Sequence, residues 1–409
     1  MEKSFKNKKI LEIAEKTVNK YDLCDHCIGR IFAKIETGLD NRKRGEIIRD
    51  YLKKYDQIKV KDCWLCQGLL NEINHFVKLV FDYIKDYEFE TFLIGTKIDE
   101  DISEREKNLY NFAGDDYSES IKNELNREIG KILEKKSKKE VDFKNPNIMV
   151  ILDTAFDDIN LQIHPLFIYG RYKKFKRGIS QTIWLCKICK GLGCKKCNYS
   201  GRIFDESVEG LISEKFLEKT NGNDESFHGA GREDIDVRML GNGRPFILEI
   251  KNPIFRNINL KQISNEINEI NQGVVEICNL RFSDRNEIIR LKKSQFKKTY
   301  CVVLKGKKSL NKEKLKKACQ SLQDNTINQY TPLRVAHRRA NMVREKHIYK
   351  CNLKSVEGSI AALTIVAESG TYIKELITGD EGRTVPSISE MIGIPCEVKE
   401  LDVIDVKGE

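Results

Sequence analysis

Long apolar runs are missing from this sequence of 409 residues. Without a stretch of about 18 apolar residues, the chain has no predicted membrane-spanning helix and no expected membrane partner. The opening residues, MEKSFK, also lack the apolar segment of a secretory signal peptide, so we expect a cytoplasmic protein. Two or three domains are expected at this length, and a hydrophobic content of 40% is sufficient for their cores.

Motifs for nucleotides and organic cofactors are also missing. The sequence has no Walker A motif and no G-x-G-x-x-G that follows a predicted strand. It lacks the His-x-Glu and Pro-Cys-x-x-Cys motifs of zinc deaminases, and none of its six histidines has a recognisable nucleophile–base arrangement. We therefore expect no organic cofactor and a reaction that depends on a single carboxylate.

The charge balance is only moderately basic, since 72 basic and 62 acidic residues leave a net charge of +10. Such an excess fits a polyanionic partner, but it also fits a protein that is merely soluble. Composition therefore favours a nucleic-acid partner only slightly, and nothing in the sequence indicates an obligate protein partner.

Eight of the thirteen cysteines form four Cys-x2-Cys pairs, which predicts metal binding because disulfides are rare in the cytosol. Thirty-five residues separate the first two pairs and four separate the last two. Each half suits one tetrahedral, structural zinc. The predicted ligands are Cys24, Cys27, Cys63 and Cys66 for one site, and Cys186, Cys189, Cys194 and Cys197 for the other. Cross-pairing between the two halves stays open.

The residue pattern changes near residue 200, where we expect a boundary between domains 1–200 and 201–409. Beyond it, helices are predicted near 259–272, 284–293, 309–321, 370–378 and 386–392. Strands are predicted near 274–282, 299–304, 344–355, 360–367 and 396–406. This mixed order, with neighbouring strands that can pair antiparallel, is typical of an α+β domain.

Residues 169–178 interleave five cations with three aromatic side chains. Cations bind phosphates, and aromatic faces stack on bases. We therefore predict RNA contact by Arg171, Lys173, Lys174 and Arg177. The alternative is a basic surface loop with buried tyrosines.

Residues 227–238 join a glycine-rich turn to an alternating segment, which puts Asp234, Asp236 and Arg238 on one predicted face. Gly241-Asn242-Gly243 then predicts a hairpin turn. The residues alone leave an active-site turn and a surface hairpin about equally supported.

Several segments resemble one known family. Arg232-Glu233-Asp234 is similar to the Arg-x-Asp motif of pseudouridine synthases, and residues 227–253 resemble the archaeal and eukaryotic type that acts on tRNA positions 54 and 55. The basic residues 329–340, SGTYIK at 369–374 and RTVPS at 383–387 are similar to further motifs of that family. The paired cysteines and a mixed α/β block at 89–163 resemble its zinc sites and its THUMP module.

The resemblance implies an N-terminal zinc-containing THUMP-like α/β domain, a catalytic domain with a mixed, mainly antiparallel sheet flanked by helices, and a tRNA substrate. It implies that Asp234 acts on a flipped-out uridine, Tyr300 stacks on the base and Lys374 pairs with the aspartate. The other implied contacts with the substrate are Arg232, Ile373, Leu401, Arg334, Arg338 and Arg339.

Alternatives remain open at this point. Without the resemblance, Tyr300 and Leu401 are better interpreted as core residues. A catalytically silent zinc-containing tRNA-binding protein and another THUMP-bearing tRNA-modifying enzyme are the rival functions, and the missing glycine-rich donor loop argues against the second.

Overall fold

The computed structural model describes residues 5, 7–36, 38–52 and 62–407. The chain divides into two compact units, Met1–His164 and Pro165–Glu409, each with its own hydrophobic core. In the described ranges, none of the helices is both long enough and apolar enough to span a membrane.

The N-terminal unit is built from helices and one small sheet. Its elements are α1 (Lys8–Lys20), α2 (Asp25–Ile31), α3 (Asn41–Leu52), α4 (Ile73–Ile84), β1 (Thr91–Lys97), α5 (Glu100–Ala113), α6 (Ile121–Ser137), β2 (Glu140–Val141), β3 (Ile148–Asp153) and β4 (Asp158–Ile163). The sheet order is β2-β1-β3-β4, in which β1 is parallel to β2 and β3, and β4 is antiparallel to β3. Strands β3 and β4 therefore form a hairpin around Asp157-Asp158.

Periodicity explains how the core of this unit forms. Strand β1 buries every second side chain, and α6 buries residues at helical spacing on one stripe. Helix α6 packs against β1 and α4 through that stripe. The buried side chains of the strand and of the helix therefore form one apolar layer between the sheet and its helices.

The C-terminal unit contains the larger sheet. Its elements are β5 (Leu166–Lys174), α7 (Val208–Thr220), β6 (Asp224–Gly229), β7 (Arg238–Lys251), α8 (Leu260–Ile270), β8 (Val275–Ser283), α9 (Arg285–Lys293), β9 (Lys297–Gly306), α10 (Lys312–Leu322), β10 (Asn325–Tyr330), β11 (Val343–Glu357), β12 (Ile360–Ala367), α11 (Ile373–Thr378), β13 (Thr384–Val385), α12 (Ile388–Ile392) and β14 (Cys396–Lys407).

Ten strands of the described chain form this sheet, in the order β13-β10-β11-β12-β9-β14-β7-β5-β8, with β6 paired to β7. All pairs are antiparallel except β14 with β7. The expected mixed, mainly antiparallel sheet flanked by helices is confirmed. Its central strands β9, β14 and β7 lie side by side, so residues from remote parts of the sequence meet there.

The division of the chain lies earlier than the predicted boundary at residue 200. Strand β5 pairs along one edge with β7 and along the other with β8, which places residues 165–200 in the C-terminal unit. The pattern after residue 200 suggested a boundary because β5 is followed by a long irregular segment that contains the second group of cysteines.

The predicted hairpin turn at Gly241-Asn242-Gly243 is wrong, because β7 continues through it from Arg238 to Lys251. Both glycines have positive φ angles of 60° and 74°. A Cβ on Gly241 would lie 1.9 Å from the Ile404 carbonyl oxygen, and one on Gly243 would lie 2.7 Å from that of Tyr172. Glycine is needed here because the backbones of β14 and β5 lie too close to β7 to leave room for a side chain.

Candidate active site

The turn between β6 and β7 presents Asp234 and is anchored by the residue before it. Glu233 is buried, accepts hydrogen bonds from the Tyr172 hydroxyl at 2.9 and 2.8 Å, and pairs with Arg244 Nε at 2.8 Å. Arg244 also donates to the Ala230 carbonyl oxygen at 2.8 Å. These contacts fix the backbone on both sides of the turn, so Asp234 is held by a rigid support.

Two cations face the Asp234 carboxylate. Arg334 Nη1 lies 3.1 and 2.9 Å from its two oxygens, and Lys374 Nζ lies 3.4 Å from Oδ2. Lys374 is closer to Asp236, at 2.8 and 2.7 Å. The predicted pairing of Lys374 with Asp234 is present, but Arg334 is the closer partner of that carboxylate.

The pKa values of the partners follow these contacts. Burial opposes the charge of Arg334, but hydrogen bonds to Glu375 and Asp234 outweigh it and raise the pKa of Arg334. Burial likewise opposes ionisation of Asp236, but the hydrogen bonds from Lys374 prevail and lower the pKa of Asp236. Both shifts favour the charged forms of Arg334 and Asp236.

A cavity of about 600 Å³ opens above this turn and collects residues from distant segments. Its lining includes Asp234, Tyr300 from β9, Ile373 and Lys374 from α11, and Leu401 from β14. Tyr300 and Leu401 are mostly buried but border the cavity, so they are not only core residues. Burial raises the pKa of Tyr300 to about 12, so its phenol stays protonated.

Two of the predicted basic residues, Arg232 and Arg339, also line this cavity. The Arg232 guanidinium lies 4.7 Å from the centre of the Trp184 ring, and Trp184 immediately precedes the second group of cysteines. A cation over an aromatic face is attracted to it. The cysteine-rich segment therefore contacts the rim of the cavity. Arg338 ends a short 3₁₀ helix, Leu333–Arg338, and its side chain lies outside the described structure.

The four cations predicted to contact RNA from residues 169–178 have different environments. Lys174 is fully buried and donates to three backbone carbonyl oxygens, and Arg171 is buried and donates to the carbonyls of Asn242, Gly243 and Val406. Those two predictions fail because β5 is an internal strand whose cations satisfy backbone acceptors. The partly exposed Lys173 pairs with Glu276.

Arg177 joins the turn that carries Asp234 to β14. It donates to the carbonyl oxygens of Asp236 at 2.7 Å and Leu401 at 2.9 Å, and to Asp402 Oδ1 at 2.7 Å. Its main observed contacts are within the protein, so Arg177 stabilises the position of the turn relative to β14.

Glu233, Arg244, Tyr172 and Lys298 were not identified from the sequence as part of the site. Glu233 occupies the unspecified middle position of the Arg-x-Asp motif. The charge of Arg244 within the apolar run RPFILEI was a usable signal, because a buried charge requires a partner. Lys298 lines the cavity two residues before Tyr300, and strand alternation would have put both on one face.

The eight predicted metal ligands form two clusters, each made of the neighbouring pairs. In each, the sulfur atoms all lie within 4.8 Å of one another. A tetrahedral zinc with Zn–S bonds of about 2.3 Å requires sulfur–sulfur distances of about 3.8 Å. Cys24 and Cys66 are 3.7 Å apart, Cys186 and Cys194 are 3.9 Å apart, and Cys189 and Cys197 are 3.7 Å apart.

Both clusters are therefore consistent with zinc sites. His26, inside the first Cys-x2-Cys pair, does not replace a cysteine, because its Nδ1 lies 2.9 Å from the buried Glu124 carboxylate.

The chain is similar to one family over nearly its whole length. Residues 167–407 match the family model "Pus10, C-terminal", and residues 76–153 match "Pus10 THUMP domain, archaeal". The expected THUMP module and the expected second domain are confirmed. The THUMP match lies wholly within the N-terminal unit, and the other match begins two residues after the start of the C-terminal unit.

Two relatives, each named "tRNA pseudouridine synthase Pus10", show the same extent. The protein of Halorubrum lacusprofundi is 37% identical over 98% of this chain and 97% of its own, and that of Methanocaldococcus jannaschii is 40% identical over 95% and 93%. Among solved structures, "Crystal Structure of a Cbf5-Nop10-Gar1 Complex" is 14% identical over 49% of this chain and 45% of its own, with a TM-score of 0.30. A similarity this weak supports no functional inference.

Proposed function

Because the chain belongs to the archaeal Pus10 family of tRNA pseudouridine synthases, we propose that it converts uridine to pseudouridine at position 54, position 55 or both in the T-arm of tRNA. The reaction is an isomerisation that breaks the C1′–N1 bond of uridine and joins C1′ to C5. Asp234 acts on the ribose of a flipped-out uridine. This role needs no organic cofactor.

One observation carries the proposal: a carboxylate, two cations, an aromatic ring and two aliphatic side chains line one cavity. Asp234, Arg334 and Lys374 form the charged side, while Tyr300 and Leu401 border the buried side. A uracil ring needs a flat apolar contact that tolerates rotation, and the ribose needs an ionised carboxylate close by. A cavity of about 600 Å³ has room for one nucleotide.

The charges around Asp234 define its proposed chemistry. Arg334 and Lys374 orient the carboxylate, and they leave it at the cavity wall. Tyr300 stacks on the base, while Ile373 and Leu401 exclude water from the ring. Extruding a base from a folded arm costs a few kcal/mol, which stacking and phosphate contacts offset.

The basic side chains at the rim complete the proposed tRNA site. Arg232 and Arg339 face the cavity where the backbone of the flipped nucleotide would enter. Lys173, on the partly exposed side of β5, is a further candidate phosphate contact. The THUMP domain makes the remaining contacts with tRNA. We assign zinc to the two cysteine clusters, with a structural role, because four thiolates leave the metal no open position for catalysis.

Tritium release from an unmodified tRNA transcript that carries tritium at uracil C5 tests the proposal. We expect release by the wild-type protein and a loss of more than about 100-fold in Asp234→Asn, whichever role the carboxylate has at the ribose. Carbodiimide mapping of the product then shows whether position 54, 55 or both are modified.

Asp236→Asn is the matched control, because Asp236 lies on the same turn and contacts the same lysine. It should retain activity to within about tenfold, as expected for a residue that only positions Lys374. Equal losses in the two variants would overturn the assignment of Asp234. A wild-type protein that binds the transcript without releasing tritium would instead support the silent tRNA-binding protein.

A further inference from the structure

Lys298 is a buried amine whose function the contacts above do not explain. It lies on β9 two residues before Tyr300, and the two side chains share the buried face of that strand. It is 6% exposed and lines the same cavity as Asp234. Within residues 62–407 its Nζ makes no hydrogen bond or ion pair. The amine therefore meets the cavity and not a protein acceptor, which indicates a role toward what binds there.

The groups that face this amine come from three elements. Arg244 from β7 and Lys346 from β11 disfavour its charge, while Glu233 from the catalytic turn favours it. Burial, the largest effect, and the two cations lower the pKa of Lys298 to about 7. At neutral pH a large fraction of the side chain is therefore a neutral amine that can accept a proton.

The turn itself leaves room for this amine. A Cβ added to Gly231 would lie 2.8 Å from Lys298 Nζ and 3.2 Å from Arg244 Nη1. Gly231 therefore lets the amine approach the backbone of the turn that carries Asp234.

The isomerisation needs a proton acceptor, because C5 must lose its hydrogen after it joins C1′. Tyr300 cannot accept a proton, since its pKa is about 12 and its phenol is protonated. Glu233 also lines the cavity, but its carboxylate is already engaged by the Tyr172 hydroxyl and by Arg244. Within the described lining there is no histidine.

The other amines and carboxylates among the described lining residues are engaged elsewhere. Asp234 is paired with Arg334 and assigned to the ribose, and Lys346 is ion-paired with Glu368 at 2.7 Å. Lys374 is shared between two carboxylates. Lys298 is the group left with a free lone pair.

We propose that Lys298 contacts the flipped uracil and removes the proton from C5 in the last chemical step. The amine lone pair takes the C5 proton, and the C5–H electron pair forms the C5=C6 double bond. At the same time the π pair of C6=N1 moves onto N1, which takes a proton from the ammonium through solvent, so the amine is regenerated. This inference rests on the proposed function.

Lys298→Met tests the inference, because methionine keeps an unbranched side chain as far as the ε position and loses the base. In single-turnover assays on an unmodified transcript we expect pseudouridine formation to fall by about 10²- to 10⁴-fold. The wild-type rate should rise with pH up to about 7 and then level off, whereas the variant should lack this rise. A primary isotope effect from deuterium at C5 should appear in the variant. Lys298→Arg should behave in the same way, because arginine stays protonated.

A transcript with 5-fluorouridine separates base catalysis from positioning. Fluorine cannot leave C5 as a proton, so the reaction stops after the C1′–C5 bond forms and needs no base. Lys298→Met should form this C-glycoside at a rate close to that of the wild type. The exposed neighbour Lys297, which lies over the Tyr349 ring, provides the control Lys297→Met with unchanged rates on both substrates.

An equal slowing of Lys298→Met on uridine and on 5-fluorouridine would overturn the inference and make Lys298 a positioning residue. A full rate on uridine would also overturn it. Failure of the proposed function itself would look different, because the wild-type protein would then form no product from either transcript.

Discussion

Replacing Arg244 by methionine should destabilise the C-terminal unit strongly. Arg244 Nε lies 2.8 Å from Glu233 Oε2, and both side chains are 1% exposed. In Arg244→Met the buried carboxylate keeps the Tyr172 hydroxyl and the Lys174 ammonium 3.9 Å away, but it loses its main counter-charge. Breaking a buried pair from one side costs about 3–5 kcal/mol in the free energy of unfolding.

The same strand offers a matched control. Lys251 Nζ pairs with Asp224 Oδ2 at 2.6 Å, but the two side chains are 38% and 61% exposed. Exposed pairs contribute about 0–1 kcal/mol, so Lys251→Met should change the free energy of unfolding by less than about 1 kcal/mol. Both substitutions remove a cation from β7, so the difference between their free energies of unfolding reports the effect of burial.

Urea unfolding followed by tryptophan fluorescence measures the difference. The sequence has two tryptophans, of which Trp64 lies in the N-terminal unit and Trp184 in the C-terminal unit. In a Trp64→Phe background, the signal therefore reports the C-terminal unit alone. With a urea dependence of about 1–3 kcal/mol/M, the expected loss moves the midpoint by about 1 M or more.

Adding Glu233→Gln to Arg244→Met should recover part of the loss, because the double variant no longer buries an unpaired charge. If Arg244→Met costs no more than Lys251→Met, the buried network is not what holds the turn that carries Asp234, and the reasoning is refuted.

Two further predictions concern metal content and backbone packing. Metal analysis of the purified protein should find about two zinc ions per chain. The Cys194→Ser variant should contain about one zinc ion per chain, because it loses a ligand of the second cluster. The control Cys278→Ser, outside both clusters, should leave the zinc content unchanged. Well under two ions in the wild type would contradict the two-site assignment. Gly241→Ala should destabilise the protein by at least about 1 kcal/mol more than Gly273→Ala. Both glycines have positive φ, but only at Gly241 would a Cβ lie against backbone atoms. Equal losses of stability in urea unfolding would refute the packing argument.

Local patterns predicted much of the C-terminal unit. The helix predicted at 284–293 is α9, which begins at Arg285 because the Asp284 side chain caps the amides of Asn286 and Glu287. The strand predicted at 360–367 is β12, in which every second residue is buried. Such elements follow from capping and periodicity, which are properties of a few neighbouring residues.

The failures come from contacts that no local pattern contains. Arg171 and Lys174 resemble an RNA-binding segment in sequence, yet β5 is internal and their charges meet backbone carbonyls. Gly241-Asn242-Gly243 resembles a hairpin, yet the glycines are needed where β14 approaches. Both features depend on strands more than 60 residues away along the chain.

The residues of the candidate site also divide into those that local patterns predicted and those that depend on distant contacts. The cysteine pairs were predictable because each ligand pair is local, and the structure joins them as expected. The motifs identified Asp234 and Lys374, but the closer partner, Arg334, was predicted as an RNA contact, since its approach to Asp234 depends on the folded sheet. Strand alternation puts Lys298 on the same face as Tyr300, but the burial of that face depends on the position of β9 in the centre of the sheet.

The different environments of Glu233, which is buried beside Arg244, and Asp234, which is partly exposed beside Arg334, affect how a mutational scan of the turn should be interpreted. Substitution at either position would abolish activity in a cell-based screen, and the two would be scored as equally essential. The Glu233 variants would fail because less folded protein accumulates, while the Asp234 variants would accumulate normally and lack turnover. A scan that records protein abundance beside activity would separate the two carboxylates. The variable middle position of an Arg-x-Asp motif is thus constrained by the core of the protein.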